Sequence, residues 1–161
     1  MFSSTTPITT MTLASLCGLV LFVGYLSPGK LASKRIKHYH TTARSSAMVI
    51  HNGTVYLSGQ VGKERTQINQ DSQALDGDIT SQTQETLAKI DKLLAEAGID
   101  KTKIISTNIW LKDIKSDFAP MNIVWNDWVA GCGSTKGVRA CVESAMARPT
   151  ILVEIQVVAA L

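Results

Sequence analysis

Cysteine is scarce: the 161 residues hold three, Cys17, Cys132 and Cys141, an odd number without metal-ligand spacing. This excludes an even-numbered disulfide framework and a Cys/His metal cluster, and it favours a reduced compartment such as the cytoplasm or the mitochondrial matrix. Histidine is scarce too. His38, His40 and His51 all fall before the core or in its first hairpin, where solvated side chains are expected rather than catalytic ones. No Ser-His-Asp set and no phosphate-binding glycine loop is present. Acids are missing from the start of the chain, the first being Glu64. Residues 1–40 carry Lys30, Lys34, Arg35 and Lys37, a charge of +4, so the remainder holds 16 − 4 = 12 basic and 13 acidic residues, or −1. The positive charge therefore belongs to the leader, and the body offers no electrostatic case for nucleic acid.

A long hydrophobic run is also absent. Residues 11–26, MTLASLCGLVLFVGYL, carry no charge but fall short of the roughly 20 residues that a spanning helix needs. Ser27, Pro28 and Gly29 then break any helix, and a basic stretch follows. A signal peptide, an organellar leader and a short membrane anchor all remain open, beside a dispensable extension; membrane association could come only through residues 11–26.

What is present is enough apolar residue, 45% against 18% charged, for one globular core. Residues 1–40 read as a separable leader and residues 45–161 as the domain. Met48, Ile50, Val55 and Leu57 flank Asn52-Gly53, the dipeptide of a tight hairpin. Residues 64–78 are polar and read as a surface loop. Thr83, Leu87, Ile90, Leu93, Leu94 and Ala97 form one stripe at helical spacing over Thr80–Ala97, stopped by Gly98. Residues 103–111 read as a strand. Residues 117–130 read as a helix with Pro120 in its first turn and Trp125 and Trp128 inward, and 138–144 and 151–158 as two final strands. The order is ββαβαββ, an α+β domain with two helices on one face of a mixed sheet. The other face needs a cover, which further subunits could supply.

Two charges stand on apolar strands: Arg139 within GVRACVE and Glu154 within ILVEIQVV. Buried, each would require a partner or a ligand; on an open strand face, each is an ordinary rim charge. The residues alone leave both readings open.

The runs VYLSGQVG (55–62), SQTQETLAKIDKLLAEAG (81–98) and RACVE with VEI (139–155) resemble the RidA/YjgF family of reactive intermediate deaminases. The resemblance implies a chorismate-mutase-like fold and a homotrimer with sheets facing inward and three sites in the clefts between subunits. It implies hydrolysis of reactive 2-imino or 2-enamino acids to 2-oxo acids and ammonia, with no cofactor and no metal. Arg139 matches the arginine that binds the substrate carboxylate, a task suited to a planar fork of donors. Glu154 matches the acid that activates water. Ser58, Gly59, Asn122 and Cys141 match pocket positions, Cys141 through its backbone rather than its thiol. Two departures mark a divergent branch: Ser45 stands where a pocket tyrosine is expected, and residues 131–137, with Cys132, replace a shorter approach to the arginine. The competing function is a non-catalytic trimer that binds a small carboxylate or another protein.

Overall fold

A computed structural model of the chain describes residues 35–62 and 78–161. The expected leader up to residue 34 and most of the expected polar loop lie outside the described residues.

The first element was not foreseen. Strand β1, Lys37–Thr41, pairs antiparallel with β2, Ser46–His51, in the register Tyr39 to Met48. The basic stretch therefore enters the sheet, and the domain begins before residue 45. Its burial is slight, with only Tyr39 partly covered, so no apolar alternation announced it. Deletion of residues 1–40, neutral on the sequence reading, removes four residues of β1. It is now expected to lower the melting temperature by several degrees relative to deletion of 1–34, which calorimetry would measure.

Strand β3, Thr54–Leu57, follows β2 through the expected hairpin, where Asn52 (φ 49°) and Gly53 (φ 75°) both take the positive φ of a type I′ turn. Helix α1, Ile79–Glu96, starts at Asp78, whose carboxylate accepts from the Ser81 amide at 2.9 Å. It ends at Gly98 (φ 79°), where the Gly98 and Ile99 amides return to the Ala95 and Leu94 carbonyls. Strand β4, Ile104–Leu111, comes next. Helix α2, Ile114–Val129, starts three residues before its expected position because Asp113 caps it, accepting from Lys115 and Ser116. Those amides, Ser116 first, hold the Asp113 carboxyl below its ordinary range. Pro120 therefore lies in the second turn rather than the first. Strands β5, Val138–Glu143, and β6, Val153–Ala160, complete the order βββαβαββ.

The sheet order is β1-β2-β3-β6-β4-β5, with only β4 and β5 parallel. Both helices cover one face. Along β6 the odd residues Val153, Ile155, Val157 and Ala159 are buried beneath them, while Glu154, Gln156, Val158 and Ala160 point the other way and are partly exposed. Met48, Val55, Leu87, Leu94 and Ile109 complete a core in which each large apolar side chain contributes roughly 1.5–3 kcal/mol. No helix packs on the opposite face among the described residues, and Tyr56 and Val142 remain 46% and 48% exposed there. Val138, on the edge strand β5 beside that face, is 71% exposed.

Candidate functional site

Strand alternation separates the expected site residues into two groups. Arg139 pairs with Thr107 of β4, a buried residue on the helix side, and Cys141 pairs with buried Ile109. Glu154 pairs with Trp110, three residues further along β4 and hence on the uncovered side. The two charges therefore project from opposite faces of the sheet, and one subunit does not bring them together.

The first group surrounds Arg139. Its Nη1 donates to Asn122 Oδ1 at 2.7 Å, and its guanidinium lies over the Trp125 ring, 5.1 Å from the centroid. Asn122 is fixed in turn by donating from Nδ2 to the Phe118 carbonyl one helical turn back at 2.8 Å. Asn122 and Trp125 share a face of α2 by their three-residue spacing. Arg139 is thus oriented by one amide and one indole, both neutral, and it remains exposed at the sheet edge. Among the described residues no carboxylate pairs with it. Beside it, burial pushes the Cys141 thiol above its ordinary range, partly offset by the Arg139 charge. A neutral thiol is a weak nucleophile, in keeping with a backbone role.

The second group surrounds Glu154. A Cβ on Gly59 would lie 1.7 Å from Glu154 Oε1, so the carboxylate rests directly on the Gly59 backbone. Gly59 is held there because its neighbour Gln60 exchanges backbone hydrogen bonds with Ile155, at 2.8 and 2.9 Å. Ser58 lies alongside. Its amide donates to the Ala47 carbonyl at 2.9 Å, and the Gln60 side-chain amide donates to its Oγ at 3.0 Å. Trp110, which the sequence offers only as a strand residue, is the cross-strand neighbour of Glu154. No signal short of the strand pairing could have found it.

The departures also have positions. Ser45 is exposed in the turn between β1 and β2, where its carbonyl accepts from the Thr42 amide. Residues 131–137 begin in a short 3-10 turn, Ala130–Cys132, and reach β5 through Gly137. They close one end of a cavity of about 230 Å³ between α2 and the β4–β5 edge, lined by Trp125, Trp128, Lys101, Lys136, Cys132 and Arg139 among others. A larger cavity, about 480 Å³ beside Lys112 and Glu143, contains none of the expected site residues. Among the described residues no group of His, Cys, Asp or Glu could hold a metal ion.

The family model described as Endoribonuclease L-PSP matches residues 35–161, beginning just before β1. The RutC family protein YoaB of Escherichia coli K12 is 39% identical over 118 residues, which cover 73% of this chain and 91% of that protein. A RutC family protein of Haemophilus ducreyi is 33% identical over 126 residues, covering 78% and 97%. The crystal structure of a YjgF-family protein from Neisseria meningitidis superposes with a TM-score of 0.68 at 38% identity, covering 79% of this chain and 95% of that one. That of yeast Mmf1 gives 0.65 at 24% identity, covering 78% and 98%, a likeness of fold. Sequence, fold and the extent of the match agree: the chain belongs to the RidA/YjgF family.

Proposed function

We propose that the protein hydrolyses reactive 2-imino or 2-enamino acids to 2-oxo acids and ammonia, at sites shared between subunits of a homotrimer. The observation that carries this reading is Arg139: a guanidinium oriented by Asn122 and Trp125, exposed at an edge, with no acid beside it among the described residues. Such a fork is complementary to a carboxylate. Residues 35–161 hold 14 basic and 13 acidic residues, a net +1, which is little excess of cations for an RNA backbone.

The carboxylate gripped by Arg139 fixes the adjacent imine carbon. Water adds there while Glu154 takes its proton; the C=N electron pair passes to nitrogen, to which Glu154 returns the proton. The carbinolamine then collapses: its hydroxyl proton passes through Glu154 to nitrogen, the C–N bond breaks, a C=O forms, and ammonia leaves. The imine carbon is already electrophilic, so placing one water accounts for much of the acceleration. Because Arg139 and Glu154 face opposite sides of one sheet, the reading joins Arg139, Asn122 and Cys141 of one subunit to Ser58, Gly59 and Glu154 of the next. The uncovered sheet face and the exposed β5 edge are the surfaces that would meet. In a coupled assay of the full chain, with a pyridoxal-phosphate enzyme generating iminopropionate, keto-acid release should exceed the uncatalysed rate. Light scattering should return a trimeric mass. A monomer, or an unchanged rate, overturns the reading.

A further inference from the structure

The cavity beside Arg139 has a composition that a small aliphatic imino acid does not call for. Trp125 and Trp128 stand in contact, ring centroids 5.2 Å apart and planes inclined at 56°. Each carries a cation: the Arg139 guanidinium lies 5.1 Å from the Trp125 centroid and the Lys101 Nζ 5.0 Å from that of Trp128. Trp128 is held by donating from Nε1 to Asp91 at 2.8 Å, and Asp91 also lies 3.8 Å from the Lys101 Nζ. Lys136 donates to the Gly133 carbonyl, and among the described residues no carboxylate pairs with Lys136 or Arg139. The lining itself contains no acid. Segment 131–137 supplies the far wall, and its position is tightly set. A Cβ on Gly137 would come within 2.7 Å of the Ile104 carbonyl oxygen, so the chain passes too close to β4 for a side chain.

We propose that this cavity receives the side chain of the substrate and selects for a flat π-system, so that the preferred substrate is a 2-imino acid with an aromatic ring. The inference rests on the imine-hydrolysing reading and names its substrate class. The guanidinium carbon lies 5.1 Å from the Trp125 centroid, so a planar ligand whose carboxylate takes the N–H fork would set its ring against the indole walls of the cavity. The volume, about 230 Å³, is below the roughly 300–1,000 Å³ of sites for drug-sized ligands, and so suits one ring with a short acid arm rather than a nucleotide. The uncompensated charge requires that the ligand be an anion.

Binding is tested separately from turnover by titrating the full chain with the stable 2-oxo acids phenylpyruvate and pyruvate and with inorganic phosphate, followed calorimetrically. Phenylpyruvate is expected to bind about tenfold more tightly than pyruvate, the scale of one stacking contact. Trp125→Leu should abolish that preference, and Trp125→Phe, which keeps a ring, should preserve it. Equal affinities for the two oxo acids, phosphate binding as tightly as phenylpyruvate, or a preference that survives in Trp125→Leu would overturn the inference. If the aromatic preference holds but neither imine is hydrolysed, the cavity's selectivity stands and the hydrolytic reading fails. If iminopropionate is turned over and the preference is absent, the reverse applies.

Discussion

Arg139→Ala should nearly abolish the acceleration of imine hydrolysis, while the fold and the oligomeric mass remain those of the parent. The side chain is exposed and contributes little to the core, so its removal is not a stability effect. Losing a charged hydrogen-bond partner of the substrate costs ~2 to 4 kcal/mol, or roughly thirty- to a thousandfold in rate. Arg139→Lys keeps the charge but loses the planar fork, and it should impair turnover as well. Asn122→Ala is a milder version of the same test, because it frees the guanidinium to rotate without removing it. The measurement is kcat/KM in the coupled assay beside a thermal melt. Full activity in a well-folded Arg139→Ala protein would remove the carboxylate anchor from the account.

Glu154→Gln should depress kcat while leaving carboxylate binding largely intact, since anchoring and water activation lie in different residues. Loss of a general base is expected to cost about 10²- to 10⁴-fold. Gly59→Ala reaches the same group from the backbone side. The new methyl would occupy the position of Glu154 Oε1, 1.7 Å from the ideal Cβ, so the carboxylate must swing away. The far end of a partly exposed, flexible side chain can do so, and the protein should still fold. The expected result is a lowered kcat with a binding constant for pyruvate close to the parental one. A Gly59→Ala protein with parental kcat would mean that the carboxylate position seen here does not matter to the reaction.

Much of the fold was legible because its signals are local. The Asn52-Gly53 turn, the apolar stripe of α1 and the Gly98 cap are each set by a few neighbouring residues, and each stands where the sequence predicts. Strand β1 was not legible: Lys37, His38 and His40 are polar because the strand lies at an edge with little to bury, so charge pattern and strand formation pointed to different conclusions. The start of α2 lies three residues before the position the sequence pattern suggests, because it is set by the Asp113 cap, and Pro120 falls one turn later in the helix as a result. At the candidate site, Arg139 and Glu154 stood out as charges on apolar strands. Their division between two faces could not be read, since it depends on the registers Thr107 to Arg139 and Trp110 to Glu154. The indole and lysine walls of the cavity escaped for the same reason: Lys101, Trp125 and Lys136 meet only through tertiary packing.

That division leads to the most direct test of a shared site. Arg139→Ala and Glu154→Gln proteins, each nearly inactive alone, should regain activity when co-expressed or unfolded and refolded together. A cleft that takes its arginine from one subunit and its acid from the next is intact wherever the two variants meet in the right order. Random assortment in a cyclic oligomer makes about a quarter of the clefts intact. The randomly assorted preparation as a whole is therefore expected to hydrolyse iminopropionate at about a quarter of the parental rate. Mixed oligomers that assemble normally yet remain as inactive as either variant alone would contradict it, because a site contained within one subunit cannot be repaired by its neighbour.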